Sequence, residues 1–207
     1  MNRLHIKVCG LTTEDDLKVC QDMAVDLTGF IFHSPSPRNV DPGLVGSWKK
    51  KKELRVGVFV NQKSEEILEI FDAAGLDLVQ LHGGQSPDVC LALGSLRVIR
   101  VFWPERFETL EDFQLEIDRY KDVCRYFLFD AGKCAGGHGR SILSPWLEKI
   151  KSPEPFFLAG GLGPENIGNL PVTGMAGLDL NSGVELSPGR KDPRKIRKVL
   201  DIVRRKK

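Results

Sequence analysis

Four groups of residues in this sequence have types and settings suited to chemistry. Cys9 closes an apolar run that begins at Leu4. Its thiolate would act as a base or nucleophile. A thiol titrates near about 8.5 unless positive charge or backbone donors lower it. A small buried hydrophobe is the other common fate of such a cysteine. Asp130 ends the run Tyr126-Phe127-Leu128-Phe129-Asp130. A carboxyl at the rim of an apolar pocket suits a general acid, with a helix cap or ion pair as the alternative. Arg38 follows Pro35 and Pro37, which stiffen its loop. Its planar guanidinium matches a carboxylate, and a plain surface arginine is the alternative. Gly160-Gly161 and Asn181-Ser182-Gly183 form the fourth group. Such turns bring backbone N–H groups close to an anion such as phosphate, and a helix N-terminus behind them would add a favourable dipole. Two tight turns needing positive φ would look the same.

Histidine adds less. His82, in Gln80-Leu81-His82-Gly83, is a candidate base or substrate contact, or an imidazole satisfied within a turn. His5 lies inside the first apolar run and reads as structural. His138 sits in Gly136-Gly137-His138-Gly139, a loop able to close over a ligand. No His and carboxylate cluster has metal spacing, so no metal is expected.

These residues need a frame that brings them together. Short apolar runs rich in β-branched and aromatic residues predict eight buried parallel strands. They cover Leu4–Cys9, Leu27–Phe32, Arg55–Val60, Leu76–Leu81, Arg97–Phe102, Tyr126–Asp130, Phe156–Ala159 and Gly177–Leu180. Helical stripes fall between them. Ile67, Phe71 and Ala74 share a face after Ser64, a candidate N-cap. Leu110, Phe113 and Ile117 do so after Thr109. Ile196, Val199, Leu200 and Val203 have amphipathic spacing. Ser86-Pro87, Ser144-Pro145 and Asp192-Pro193 are helix starts, because proline's missing N–H costs nothing at the first helical position. Residues 41–52 and 133–171 are weak in helical pattern and predict short or irregular units. Repeated βα alternation without a Gly-rich dinucleotide motif favours a closed (β/α)8 TIM barrel, of class α/β, as a single domain over residues 1–207. In that fold the site lies at the carboxyl ends of the strands, and phosphate binds after strands seven and eight. The candidates occupy those ends.

Composition excludes several classes. The 207 residues are 41% hydrophobic and 28% charged, with net charge +2. That is ordinary for a globular domain and supplies no field for nucleic acid or a membrane surface. The basic runs Lys49–Lys52 and Arg204–Lys207 read as solvated faces. Five cysteines without a C-x-x-C pair argue against disulfides or zinc and for a reducing, cytoplasmic setting. No signal peptide or membrane-spanning run is seen.

Read in order, the strand ends resemble the phosphoribosylanthranilate isomerase family of tryptophan biosynthesis. The matching segments are Lys7-Val8-Cys9-Gly10-Leu11-Thr12, Gly29-Phe30-Ile31-Phe32 with Ser36-Pro37-Arg38, Val56 to Asn61, Gln80 to Gly83, Asp130 with Gly136 to Gly139, Leu158 to Leu162 with Pro164-Glu165-Asn166, and Asn181 to Glu185 with Pro188-Gly189 and Lys191-Asp192. The resemblance implies an Amadori rearrangement of N-(5-phosphoribosyl)anthranilate to 1-(2-carboxyphenylamino)-1-deoxyribulose 5-phosphate. It implies Asp130 as general acid, Cys9 as general base and Arg38 near the anthranilate carboxylate. It also implies His82, Gly160, Gly161, Asn181, Ser182 and Gly183 as substrate contacts, with phosphate held at the glycine turns. It implies no cofactor, and a monomer or homodimer. The chain departs from the family at Asn39, where an aromatic is usual, at Asn181, where serine is common, and at Ile142 to Trp146, where Phe-Asp-Trp is frequent. Two other enzyme readings are a histidine-pathway isomerase, which would carry aspartate where Cys9 stands, and indole-glycerol-phosphate synthase, which would need a lysine acid and a longer N-terminus. An inactive barrel serving as a binding or assembly module is the non-enzymatic alternative.

Overall fold

In the computed structural model, which describes residues 3–130, 146, 149–170 and 174–205, eight parallel strands close into a barrel. They are β1 (His5–Val8), β2 (Leu27–Ile31), β3 (Leu54–Phe59), β4 (Leu78–Leu81), β5 (Val98–Phe102), β6 (Tyr126–Asp130), β7 (Phe156–Ala159) and β8 (Gly177–Leu180). All eight expected strands are present: β6, β7 and β8 keep the expected bounds, and β1 to β5 are trimmed or shifted by one or two residues. Closure comes from β1 pairing with β8, where Lys7 stands opposite Asp179.

Because side chains alternate along a strand, each strand divides its residues between two cores. One set packs outward against the helices and includes Ile6, Val8, Phe30, Phe59, Val79, Phe102, Phe127, Leu158 and Leu180. The inward set fills the barrel with Leu27, Val56, Leu78, Ile99, Val101, Leu128, Phe157 and Ala159. Burying each such side chain contributes about 1.5–3 kcal/mol, so the pattern is strongly enforced. The same parity carries Lys7 and Cys9 on β1, Asp130 on β6 and Asp179 on β8 into the barrel.

The outer layer is less regular than the strands. The helices are α1 (Glu14–Asp22), α2 (Pro42–Ser47), α3 (Ser64–Ala73), α4 (Pro87–Leu93), α5 (Leu110–Asp118) and α6 (Pro193–Arg205). Thr109 caps α5 by accepting from the Asp112 N–H. Asp192 accepts from the N–H groups of Arg194 and Lys195 at the start of α6. Ser64 is not the N-cap of α3. Lys63 holds that position without a side-chain bond, and Ser64 is the first helical residue. The short α2 agrees with the weak pattern of residues 41–52. Eight full βα units are not seen among the described residues. After β7 there is only a 3-10 turn, Ile167–Asn169, and after β8 another, Ser182–Val184. A hairpin of β9 (Glu185–Ser187) and β10 (Arg190–Lys191) then leads into α6. The Gly136–Gly139 loop, the Ser144-Pro145 start and Cys134 lie outside the described residues. Lys49 to Lys52 are exposed, as expected of a solvated run.

Candidate active site

A cavity of about 420 Å³ opens at the carboxyl ends of the strands. Cys9, His82, Asp130, Gly160, Gly161, Asn181 and Ser182 all line it. Around the closed barrel, Asp130 ends β6, Gly160-Gly161 follow β7, Asn181-Ser182 follow β8 and Cys9 follows β1. The two candidate proton-transfer residues therefore flank the two candidate phosphate turns on consecutive strands. Asp130 stands opposite Ala159 in the ladder, and the Cys9 N–H donates to the Leu180 carbonyl at 2.8 Å.

Cys9 is 3% exposed and has little free space. A Cβ added at Gly29 on β2 would lie 2.7 Å from its Sγ. Glycine there leaves the slot the thiol occupies. Below it, the fully buried Lys7 ammonium donates to both carboxylate oxygens of Asp179, at 2.9 and 3.0 Å. Beside it, Lys191 of the hairpin donates to Glu185 at 2.7 Å and to Asn181 at 2.9 Å. Arg38 closes the group with a two-point bond to Glu185, at 2.8 and 2.6 Å. With Lys7, Lys191 and Arg38 positive and Asp179 and Glu185 negative, the web keeps one uncompensated positive charge until Cys9 ionises.

The Cys9 thiol sits in a buried slot among charges of both signs. Burial pushes it up, and Lys7 and Lys191 pull it down only in part, while Asp179 adds to the rise. Burial also disfavours the Lys7 ammonium, yet Asp179 and Cys9 outweigh that and hold it above its ordinary range. Burial would likewise raise the Glu185 carboxyl, but hydrogen bonds from Arg38 and Lys191 hold it low.

The opposite wall, from β4 to β6, is aromatic. The His82 ring meets Trp103 edge-on with centroids 5.0 Å apart. The Arg106 guanidinium lies over Trp103, 3.8 Å from its centroid. Burial, with Lys7, Arg106 and Arg100 adding repulsion, brings His82 down to about 4, so its imidazole is neutral near pH 7. Asp130 completes this side beside Leu128.

The glycine turns are built by close approach. Gly160 and Gly161 have φ of +112° and +65°, a region that side chains disfavour. A Cβ on Gly183 would sit 2.2 Å from the Leu162 carbonyl oxygen. Gly183 thus packs the two turns together and is not among the cavity lining. The expected helix dipole behind the turns is reduced to two three-residue 3-10 turns, because the chain turns into the hairpin instead. The Asn181 side-chain oxygen accepts from Lys191, which leaves its amide N–H₂ available as a donor.

Arg38 is not among the cavity lining, and its fork is engaged by Glu185. Asn61 is exposed and also stands apart from the cavity. Sequence reasoning overlooked the end of β5. Trp103, Glu105 and Arg106 all line the cavity, as do His33 and Gln80. The signal was available, since polar and aromatic residues follow this strand as they follow the others.

A family model described as N-(5'-phosphoribosyl)anthranilate (PRA) isomerase matches residues 6–202. N-(5'-phosphoribosyl)anthranilate isomerase of Maridesulfovibrio salexigens is 45% identical over 194 residues, covering 93% of this chain and 95% of that protein. The crystal structure of phosphoribosyl anthranilate isomerase from Thermus thermophilus superposes with a TM-score of 0.81 at 27% identity, over 99% of this chain and 100% of that one. A phosphoribosyl anthranilate isomerase in complex with reduced 1-(o-carboxyphenylamino)-1-deoxyribulose 5-phosphate gives a TM-score of 0.78 at 26% identity, over 97% and 98% of the two chains.

Proposed function

The chain belongs to the phosphoribosylanthranilate isomerase family, and from that membership we propose how its own residues carry the reaction. It isomerises N-(5'-phosphoribosyl)anthranilate, a step of tryptophan biosynthesis. In our reading the substrate phosphate rests on the backbone N–H groups of Gly160, Gly161 and Ser182, helped by the Asn181 amide. Ribose then spans the mouth between Asp130 and Cys9. Asp130 protonates the ring oxygen, and the nitrogen lone pair opens the ring to an iminium. The Cys9 thiolate removes the proton from C2. Electrons flow into the iminium to give an enolamine, which tautomerises to the ketone. The iminium itself is the electron sink, so the reaction calls on no cofactor or metal.

The single observation that carries this reading is the order around the rim: acid, phosphate turn, phosphate turn, base, on four consecutive strands. Arg38 would receive the aryl carboxylate by exchanging part of its bond to Glu185, and neutral His82 would supply a hydrogen bond. Either a monomer or a homodimer suits the reading. A reducing cytoplasm suits the free, buried Cys9, Cys20, Cys90 and Cys124. No helix among the described residues is long and apolar enough to cross a membrane.

The test follows the loss of substrate fluorescence on turnover. Wild type is expected to turn over, while Cys9→Ser and Asp130→Asn each lose about 10²–10⁴-fold in kcat. Full activity in either variant would remove that residue from its role.

A further inference from the structure

Lys7 and Asp179 present a problem that folding does not solve. Both sit in the barrel interior, where β2 sets Leu27 opposite Lys7 and β7, in the register that pairs Phe157 with Gly177, brings Ala159 level with Asp179. Lys7 is 0% exposed and Asp179 7%. A buried ion pair is a poor stabiliser, because desolvating two charges offsets most of their attraction, and an apolar pair of similar volume often does as well or better. The strands on either side show that apolar residues are accommodated in this layer.

The pair's position supplies the reason. Cys9 directly follows β1, two residues after Lys7, so both side chains leave the same face of the chain. Asp179 is the register partner of Lys7 across the barrel seam, and it also lines the cavity. Cys9 thus sits directly above one end of an ion pair whose other end faces substrate. We propose that Lys7 is a positioning residue for Cys9, and that Asp179 moderates it, so that the pair sets how readily the thiol ionises. The proposal deepens the reading of Cys9 as the base and rests on it for its catalytic meaning only.

Each partner has an assigned sign. The Lys7 ammonium favours the thiolate, and the Asp179 carboxylate opposes it by holding Lys7 and repelling negative charge at Cys9. The remaining charged groups facing Cys9 are Lys191 of β10 and Arg38 of the loop after β2, both tied to Glu185 of β9. These stay unchanged when Lys7 or Asp179 is replaced. The two replacements should therefore move Cys9 in opposite directions. A merely structural pair would not do this, since breaking it from either side would loosen the same barrel seam.

The experiment alkylates the folded enzyme with iodoacetamide across roughly pH 6 to 11 and follows the Cys9 peptide by mass spectrometry. Lys7→Met is expected to raise the midpoint for Cys9 by about one unit or more, which slows alkylation about tenfold at a fixed pH below it. Asp179→Asn is expected to lower the midpoint, and Lys7→Arg to bring it back toward wild type. Shifts of the same sign in Lys7→Met and Asp179→Asn, or no shift in Asp179→Asn, overturn the proposal. If Lys7→Met does not fold because it strands the Asp179 carboxylate, the downward shift in Asp179→Asn decides alone. The acid limb of kcat/KM is measured in parallel. If the midpoints move as stated while that limb stays still, the pairing stands and the assignment of Cys9 as base fails.

Discussion

The mouth of the barrel has two unlike halves. From β8 through the hairpin to β2, Cys9 is enclosed by five charged side chains joined by hydrogen bonds and by a slot cut to its size. From β4 to β6, Asp130 belongs to a wall of His82, Trp103, Arg106 and Leu128. The difference follows from what each group must do. A thiol is a base only as its anion, and a buried anion needs fixed positive charge around it. A carboxyl is an acid only while it keeps its proton. One half is a web of ion pairs, and the other is an aromatic wall that also carries Arg106 and Glu105.

Four substitutions probe that contrast. The largest effect is expected for Glu185→Gln, which leaves Arg38 and Lys191 facing each other without their shared anion. Breaking a buried pair from one side costs about 3–5 kcal/mol, measured as a lower urea midpoint at neutral pH. The sign follows from the depressed Glu185 carboxyl. Its stabilisation is present above the ordinary carboxylate range and is lost as pH falls through its own lower value. The gap between variant and wild type should therefore close in acid, and an unchanged midpoint at neutral pH would show that the charged half is not held together by Glu185.

Next comes Gly161→Asp, on the ground shared by both halves. A carboxylate against the bound phosphate, on a backbone with φ of +65°, should raise KM by about a hundredfold, or about 3 kcal/mol. An unchanged KM would move the phosphate elsewhere.

The aromatic half is probed by stability in acid. His82 titrates at about 4, well below its usual 6.5, so neutrality of its ring stabilises the fold fully above about pH 6.5, and that contribution is lost between there and about 4. His82→Gln should flatten this part of the stability profile by roughly 3 kcal/mol. A profile as steep as wild type would mean that the wall tolerates a charged ring. The smallest effect is expected for Gly29→Ala. The added methyl would crowd Cys9 Sγ, and a displaced thiol should lower kcat about tenfold with KM nearly unchanged. A matching fall in activity and rise in KM would instead indicate a general distortion of β2.

Most of the strand frame was legible because buried parallel strands read as uninterrupted apolar runs, and all eight stand where those runs do. Strand parity also carried Cys9 and Asp130 into the mouth. What was hidden has a common cause. The partners of Lys7 and Arg38 lie 172 and 147 residues away along the chain, and local pattern says nothing about such pairings. Glu185 read only as part of a family motif, yet it joins two cations. Ser64 failed as a cap because Lys63 takes the extended conformation before α3, a backbone choice that residue type alone did not signal. Among the described residues only a 3-10 turn follows β7, and a hairpin comes between β8 and α6, with the turns after the two strands packed on each other through Gly183.

The seam between β1 and β8 has a consequence for synthesis. Lys7 is made 172 residues before its counter-charge, which arrives with the last strand of the barrel. Until Asp179 emerges, closing the barrel would bury a bare ammonium, at a cost of several kcal/mol. A chain that lacks β8 therefore leaves the Lys7 ammonium without its counter-charge.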